Sequence, residues 1–169
     1  MIEIFFVALL VLGTHLTISG GQTLLHYWLG HHRVGGILYR NHINFHHRRY
    51  ARGNLARAAS DTEFAENDGN NTPFFLIPVG LVVIGLYFIL RIDLFTAVIL
   101  SAALSFYLHV HLDNQYHVEG SYLGRFGWFR RKQQLHFMHH LHANTNFAVI
   151  DFFWDRLLGT FRRAGKVMH

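Results

Sequence analysis

Apolar positions along this chain fall in long unbroken runs rather than at helical spacing. FFLIPVGLVVIGLYFIL (74–90) is seventeen residues without a charge, and at about 1.5 Å per residue it nearly crosses a hydrocarbon core of about 30 Å. RID (91–93) then makes a very short turn and LFTAVILSAALSFYLHVHL (94–112) runs back, so the pair predicts a transmembrane helical hairpin. The rival is two buried helices of a soluble bundle, but a chain of 169 residues has too little material to cover both. A weaker third run, 2–25, is interrupted by His15 and Gly20-Gly21. A signal peptide would show a basic leading segment and a small-residue cleavage site; neither is present, so this run is expected to be a retained membrane helix. The stretch 51–73 is polar and rich in small residues and reads as a surface loop with at most one helical turn.

Composition agrees with that pattern and adds a direction. Hydrophobic residues make up 51% of the chain, yet the formal net charge is +5. Three spans place 26–73 and 113–169 on one side of the membrane. Fourteen of the fifteen Lys and Arg residues lie there, leaving only Arg91 opposite. The positive-inside rule then puts both segments in the cytoplasm. The basic residues are accounted for by sidedness and attraction to anionic headgroups; no nucleic-acid module or Gly-rich phosphate motif accompanies them. With no cysteine, disulfides and thiolate metal sites are excluded, so any metal must bind nitrogen or oxygen.

Histidine supplies the nitrogen. There are fifteen, and thirteen of them fall on the predicted cytoplasmic side from two distant halves of the chain; His15 is at membrane depth and His169 is terminal. HFMHH places His136, His139 and His140 at i, i+3 and i+4, one face of a helix. HINFHH puts His42 and His46 on one face with His47 turned by one residue. HYWLGH spaces His26 and His31 by five, which suits a helix end with a distorted last turn. HLDNQYH spaces His111 and His117 by six, so at least one of these is expected on a loop. About ten converging imidazoles exceed the needs of one ion and fit two. Two redox-active ions without thiolates at a membrane surface point to non-haem iron. Other histidine chemistries fit less well. There is no H-E-x-x-H for a metalloprotease. Glu3, Glu63, Glu66 and Glu119 provide no E-x-x-H for a soluble di-iron bundle.

These clusters, with the tail NFAVIDFFWDRLLGTFR (146–162), resemble the fatty acid hydroxylase superfamily, which includes sterol desaturases, lipid hydroxylases and carotene hydroxylases. That family carries boxes of the form H-x(3–4)-H, H-x(2–3)-HH and a later H-x(2–3)-HH, followed by a W-D-R-L-x-G-T run. His26/His31, His42/His46/His47 and His136/His139/His140 resemble the three boxes, and the match covers about residues 20–163. One departure stands out: where fatty acid hydroxylases show a compact H-x(3)-H before the last box, Asp113 occupies the position four before His117. YLHVHLDNQYH looks more like carotene hydroxylases, with His111 and His117 as the pair, and His109 or Asp113 as substitutes.

The resemblance implies a single-domain, all-α integral membrane oxygenase, with a cytosolic helical cap holding a histidine-rich dimetal site. Its implied ligands are His26, His31, His42, His46, His47, His111, His117, His136, His139 and His140. His109 and His142 are candidates for orienting a ligating imidazole. Asp155 either pairs with Arg156 or holds a ligating histidine, while His32 is expected to face lipid headgroups. The implied cofactors are two iron ions and O2, with zinc as a substitute in a purified sample. The partners would be the bilayer, a lipid substrate, and a separate ferredoxin- or cytochrome-type electron donor. The competing expectation is a non-enzymatic membrane protein that binds metal through the same histidines.

Overall fold

A computed structural model describes residues 2–61 and 72–163. The part of the expected loop at 62–71, with Glu63 and Glu66, lies outside the described residues, as do Lys166 and His169. Helix α1 (Ile2–Leu25) runs directly into a π-helical turn (His26–Gly30). A 3-10 turn (Arg33–Gly35), α2 (Ile37–Asn41) and a second π-helical turn (His42–His47) follow. After the loop come α3 (Leu76–Tyr87), α4 (Ile92–Tyr116), α5 (Gly127–Leu141) and α6 (Phe153–Leu158). Among the described residues there is no strand, only an isolated bridge between Arg57 and Val118.

Helices α1 and α4 are long and apolar enough to cross a membrane. Helix α3 is shorter than the 74–90 run led us to expect: its 12 residues span roughly 18 Å. The run loses residues at both ends. Thr72–Phe75 form a 3-10 turn, and the amides of Ile89 and Leu90 both fold back onto the Leu86 carbonyl. Arg91 then caps α4 in an extended conformation. Its guanidinium reaches Asp93 at 2.8 Å, a carboxylate in the first helical turn, where the helix dipole favours negative charge. Helix α4 in turn outlasts the expected 94–112 segment at both ends.

The outward faces of these helices are apolar. Leu9, Leu12, Leu81, Ile84, Leu100 and Leu104 are all more than half exposed. A belt of this kind is unfavourable against water and is solvated by hydrocarbon without penalty. The seam between α1 and α4 is polar instead. Ser101 donates to the Val11 carbonyl at 2.8 Å, and the His15 ring meets Ser105 Oγ at 2.8 Å through Nδ1 and Asp151 at 3.1 Å through Nε2. His15 is therefore an interhelical hydrogen-bonded histidine. Its carboxylate partner comes from the C-terminal segment, which also places Trp154 against Ser19 and the bare backbone of Gly20.

The core lies where α4 ends. Leu112, Tyr116, Phe129, Val149 and Ile150 bury one another there, joining α4, α5 and the 147–151 segment. The Tyr116 hydroxyl donates to the Val149 carbonyl at 2.9 Å, so this aromatic packs without leaving its polar end unpaired. Between α1 and α3 runs an open apolar groove of about 490 Å³, lined by residues that include Leu9, Gly13, Thr14, Leu81 and Gly85. Gly21, tight against Pro78, closes the seam one turn further along α1.

Candidate metal centre

Both early histidine pairs sit on π-helical turns, the widened form frequent at functional sites. Because such a turn closes from i to i+5, residues five apart stand nearly one above the other. His26 and His31 lie at that separation, and so do His42 and His47. An α-helical turn would have separated each pair. The structure thus changes the expected pairing of HINFHH: His42 shares a centre with His47, and His46 turns to a different one.

Two groups of histidines result. His26, His31, His42, His47 and His139 form one, and His46, His117, His136 and His140 the other, each with ligand atoms within 4.8 Å of one another. Adjacent residues are split between them. His46 and His47 part ways, as do His139 and His140, because neighbours on a helix point about 100° apart. The two HH pairs thereby join the centres, and the His47 and His140 rings stack across the boundary at 4.3 Å.

Backbone carbonyls set the ring orientations. The Nδ1–H of His26 donates to Phe147 O at 2.6 Å, that of His139 to Thr145 O at 2.7 Å, and that of His117 to Leu55 O at 2.7 Å. Each bond fixes the proton on Nδ1 and leaves Nε2 a bare lone pair aimed into its group, which is how ligating histidines are commonly oriented. His117 is further held by stacking on Tyr50 at 3.7 Å.

Hydrogen bonding among the rings cannot account for what the Nε2 atoms do. His26 and His42 approach to 2.8 Å, His26 and His31 to 3.3 Å, and His31 and His42 to 3.1 Å, Nε2 to Nε2 in each case. A hydrogen bond needs one nitrogen with a proton and one without. Three atoms in a closed triangle cannot all differ from one another in that respect, so at least one contact is repulsive in any tautomer or charge state. A cation at the centre removes the conflict. The separations also fit: nitrogens about 2.1 Å from one ion lie roughly 3.0 Å apart at right angles and roughly 3.3–3.4 Å apart in a tetrahedron. In the second group His117 and His136 approach to 2.9 Å, and His136 and His140 to 3.1 Å.

Electrostatics point the same way. Burial, reinforced by neighbouring imidazoles, holds His31, His42, His46, His47, His136 and His140 well below the usual histidine range. Burial likewise lowers His139, and it lowers His117 to about 3. All eight are neutral near pH 7, the form that binds metal. Soft thiolates are absent, and nitrogen donors of this kind suit iron, zinc, copper or nickel.

Nine of the ten histidines expected as ligands are in these groups. The tenth, His111, is not. It lies on α4 two residues from Asp113, which turns it by about 200°, and it stacks on Tyr107 and meets the Tyr122 hydroxyl at 2.9 Å. His117, at the C-cap of α4, joins the second group as expected, without His111. His109 is buried against Phe75 with ring centroids 4.4 Å apart, outside both groups. His142 is exposed at the end of α5, and His32 is exposed with its ring against the Tyr27 carbonyl. Asp113 places a carboxylate oxygen 3.4 Å from His136 Nε2.

Among the described residues Asp155 hydrogen-bonds no histidine. Its oxygens accept from the amides of Phe147 at 2.6 Å and Ala148 at 3.0 Å and from the Thr160 hydroxyl at 2.7 Å. Arg156 turns away over the Phe161 ring, so the expected Asp155–Arg156 pair gives way to a backbone clamp. Burial raises the Asp155 carboxyl while its three donors oppose that shift. The clamp acts on the metal group at one remove, because it holds the residue whose carbonyl orients His26. Asp155→Ala is expected to cost about 3 kcal/mol or more, since it strands two amides that donate to a carboxylate. It should also weaken metal retention at the His26 group more than at the His46 group. Thermal unfolding and chelator competition measure the two effects, and equal weakening of both groups would contradict the assignment. The sequence carries no sign of the carbonyls at Leu55, Thr145 and Phe147. Tyr50, which stacks on His117, was not singled out from the sequence; its spacing of four from His46 is the signal that could have found it.

The chain matches no family model, no curated protein and no solved structure.

Proposed function

We propose that this chain is an integral membrane oxidoreductase whose two histidine centres hold iron and that hydroxylates, or desaturates, a C–H bond of a lipid. The observation that carries this reading is the pair of adjacent all-imidazole groups joined through His46–His47 and His139–His140, set at the ends of apolar helices. Two bound irons would supply the electron transfer and oxygen chemistry. Hydroxylation would consume one O2, two electrons and two protons for each C–H bond, yielding one alcohol and one water. In this reading electrons come from a separate ferredoxin- or cytochrome-type donor. The basic cytoplasmic face offers that donor a docking surface.

The chain's own part is positioning. His26, His117 and His139 are locked by carbonyls, so their Nε2 atoms stay aimed without reorganisation. The groove between α1 and α3 opens where the helix exteriors are apolar, and a small cavity lined by Leu25, His26, His42 and Phe75 touches the first group. A hydrocarbon chain entering that groove would point toward the centre, with the Gly21–Pro78 contact standing between groove and cavity. In this reading α3 and the turn at 88–91 complete a third crossing, and the histidines face the cytoplasm with fourteen of the fifteen basic residues.

The test is metal analysis of the purified protein together with lipid profiling of cells with and without it. The expected result is two irons per chain and a lipid that gains one oxygen or loses two hydrogens. A single zinc, with no oxygen consumption when a reductant is supplied, would sink the proposal and leave a metal-binding membrane protein.

A further inference from the structure

The two groups differ in donor number: the first has five imidazoles and the second four. We infer that the Asp113 carboxylate is the fifth donor of the second centre, which makes the pair chemically unequal. This assignment rests on the metal-binding reading of the histidine groups.

The geometry separates a ligand from an orienting group. A carboxylate that orients a ligating histidine bonds the ring nitrogen pointing away from the metal. Asp113 does the opposite. Its Oδ1 lies 3.4 Å from Nε2 of His136, the same nitrogen that faces His117 Nε2 at 2.9 Å and His140 Nε2 at 3.1 Å. His136 Nδ1, where an orienting carboxylate would sit, is buried without a hydrogen-bond partner. The carboxylate therefore stands beside the donor atom of His136, at the edge of a set whose four imidazole donors lie within 4.8 Å of one another, and ligation draws it inward as the ion binds. Its distance also resembles the separation of neighbouring donors around one ion, roughly 3.0–3.4 Å.

The helix explains why Asp113 fills this place. Asp113 and His117 are four apart, so both project from one side of the end of α4, whereas His111 projects from the opposite side. With Asp113 counted, each centre has five protein donors. The first offers only neutral nitrogen and the second adds a formal negative charge. That charge favours the more highly charged ion at the second centre, giving the pair a built-in polarity.

The experiment loads the full-length protein with iron, and separately with cobalt(II), and counts ions per chain under chelator competition. The wild type is expected to hold two. Asp113→Ala should hold one, with affinity at the second centre reduced by more than the roughly 10–100-fold that loss of an outer hydrogen-bond partner costs. Asp113→His should restore the second ion and shift the cobalt absorption, because an imidazole replaces an oxygen donor. That variant also guards against misfolding of the alanine form. His111→Ala should keep two ions and an unchanged spectrum. The assignment is overturned if Asp113→Ala keeps both ions with the wild-type cobalt spectrum, or if Asp113→His leaves that spectrum unmoved. A wild-type chain holding fewer than two ions overturns the dimetal reading itself, and the assignment with it.

Discussion

With both proposed centres filled, stripping the metal is expected to lower the unfolding temperature by roughly 15–30 °C, the folded chain holding the ions far more tightly than the unfolded one. An ion at about a thousand times its dissociation constant stabilises by about 4 kcal/mol, so two contribute about 8. A chain of this size shifts by about 2–4 °C per kcal/mol. The triangle of His26, His31 and His42 adds to the effect, because without a cation at least one of its contacts is repulsive. Acid should compound the loss in the metal-free protein. The unfolded chain takes up protons near pH 6.5, whereas the buried or half-buried rings of His31, His42, His46, His47, His136, His139 and His140 resist protonation and His117 does so to about 3. Stability is thus fully present above about 6.5 and lost as pH falls below it, at up to about 1.4 kcal/mol per pH unit for each ring. Scanning calorimetry of metal-loaded and metal-free protein between pH 8 and 5 measures both effects. A metal-free protein as stable at pH 5 as at pH 8 would contradict the burial of these rings.

Legibility of the fold and the site in the sequence followed from what each depends on. The apolar runs predict helices because hydrophobicity is carried by every residue in them. Their ends were misjudged where local hydrogen bonding decides: at Phe88–Leu90, folded back onto Leu86, and at Tyr116, four residues past the expected stop. The histidine spacings marked all nine residues of the two groups, yet the α-helical period put His42 with His46 and all of HFMHH on one face, whereas the structure divides each set between the groups. Spacing of five is out of phase in an α-helix and in phase in a π-helical turn, and HINFHH has no composition that announces which it will adopt. His111 was expected from the resemblance of YLHVHLDNQYH to carotene hydroxylases, with Asp113 as a substitute, whereas the direction of each side chain from α4 turns His111 away from the second group and Asp113 toward His136. The backbone carbonyls that orient His26, His117 and His139 belong to every residue, so no side chain at 55, 145 or 147 could have signalled them. What the HH pairs accomplish, one residue to each centre, became visible only once both groups were assembled in space.

That division of labour predicts that neighbouring residues behave as members of different sites. His47→Ala should release the ion of the first centre and His46→Ala that of the second, each variant keeping about one ion per chain under chelator competition. Combinations then locate each loss. His46→Ala with His117→Ala removes two donors of one group and should still leave one ion. His47→Ala with His117→Ala breaks both groups and should leave none. Turnover is expected to fall to background in every one of these variants, since the proposed reaction uses the two centres together. Activity alone would not distinguish them, and metal counting does. If His46→Ala and His47→Ala each lost the same ion, so that both combinations with His117→Ala gave equal metal content, the HH pairs would not be shared between centres. His42 would then pair with His46, as the α-helical period alone suggests, and the π-helical turn at His42–His47 would have no part in building the site.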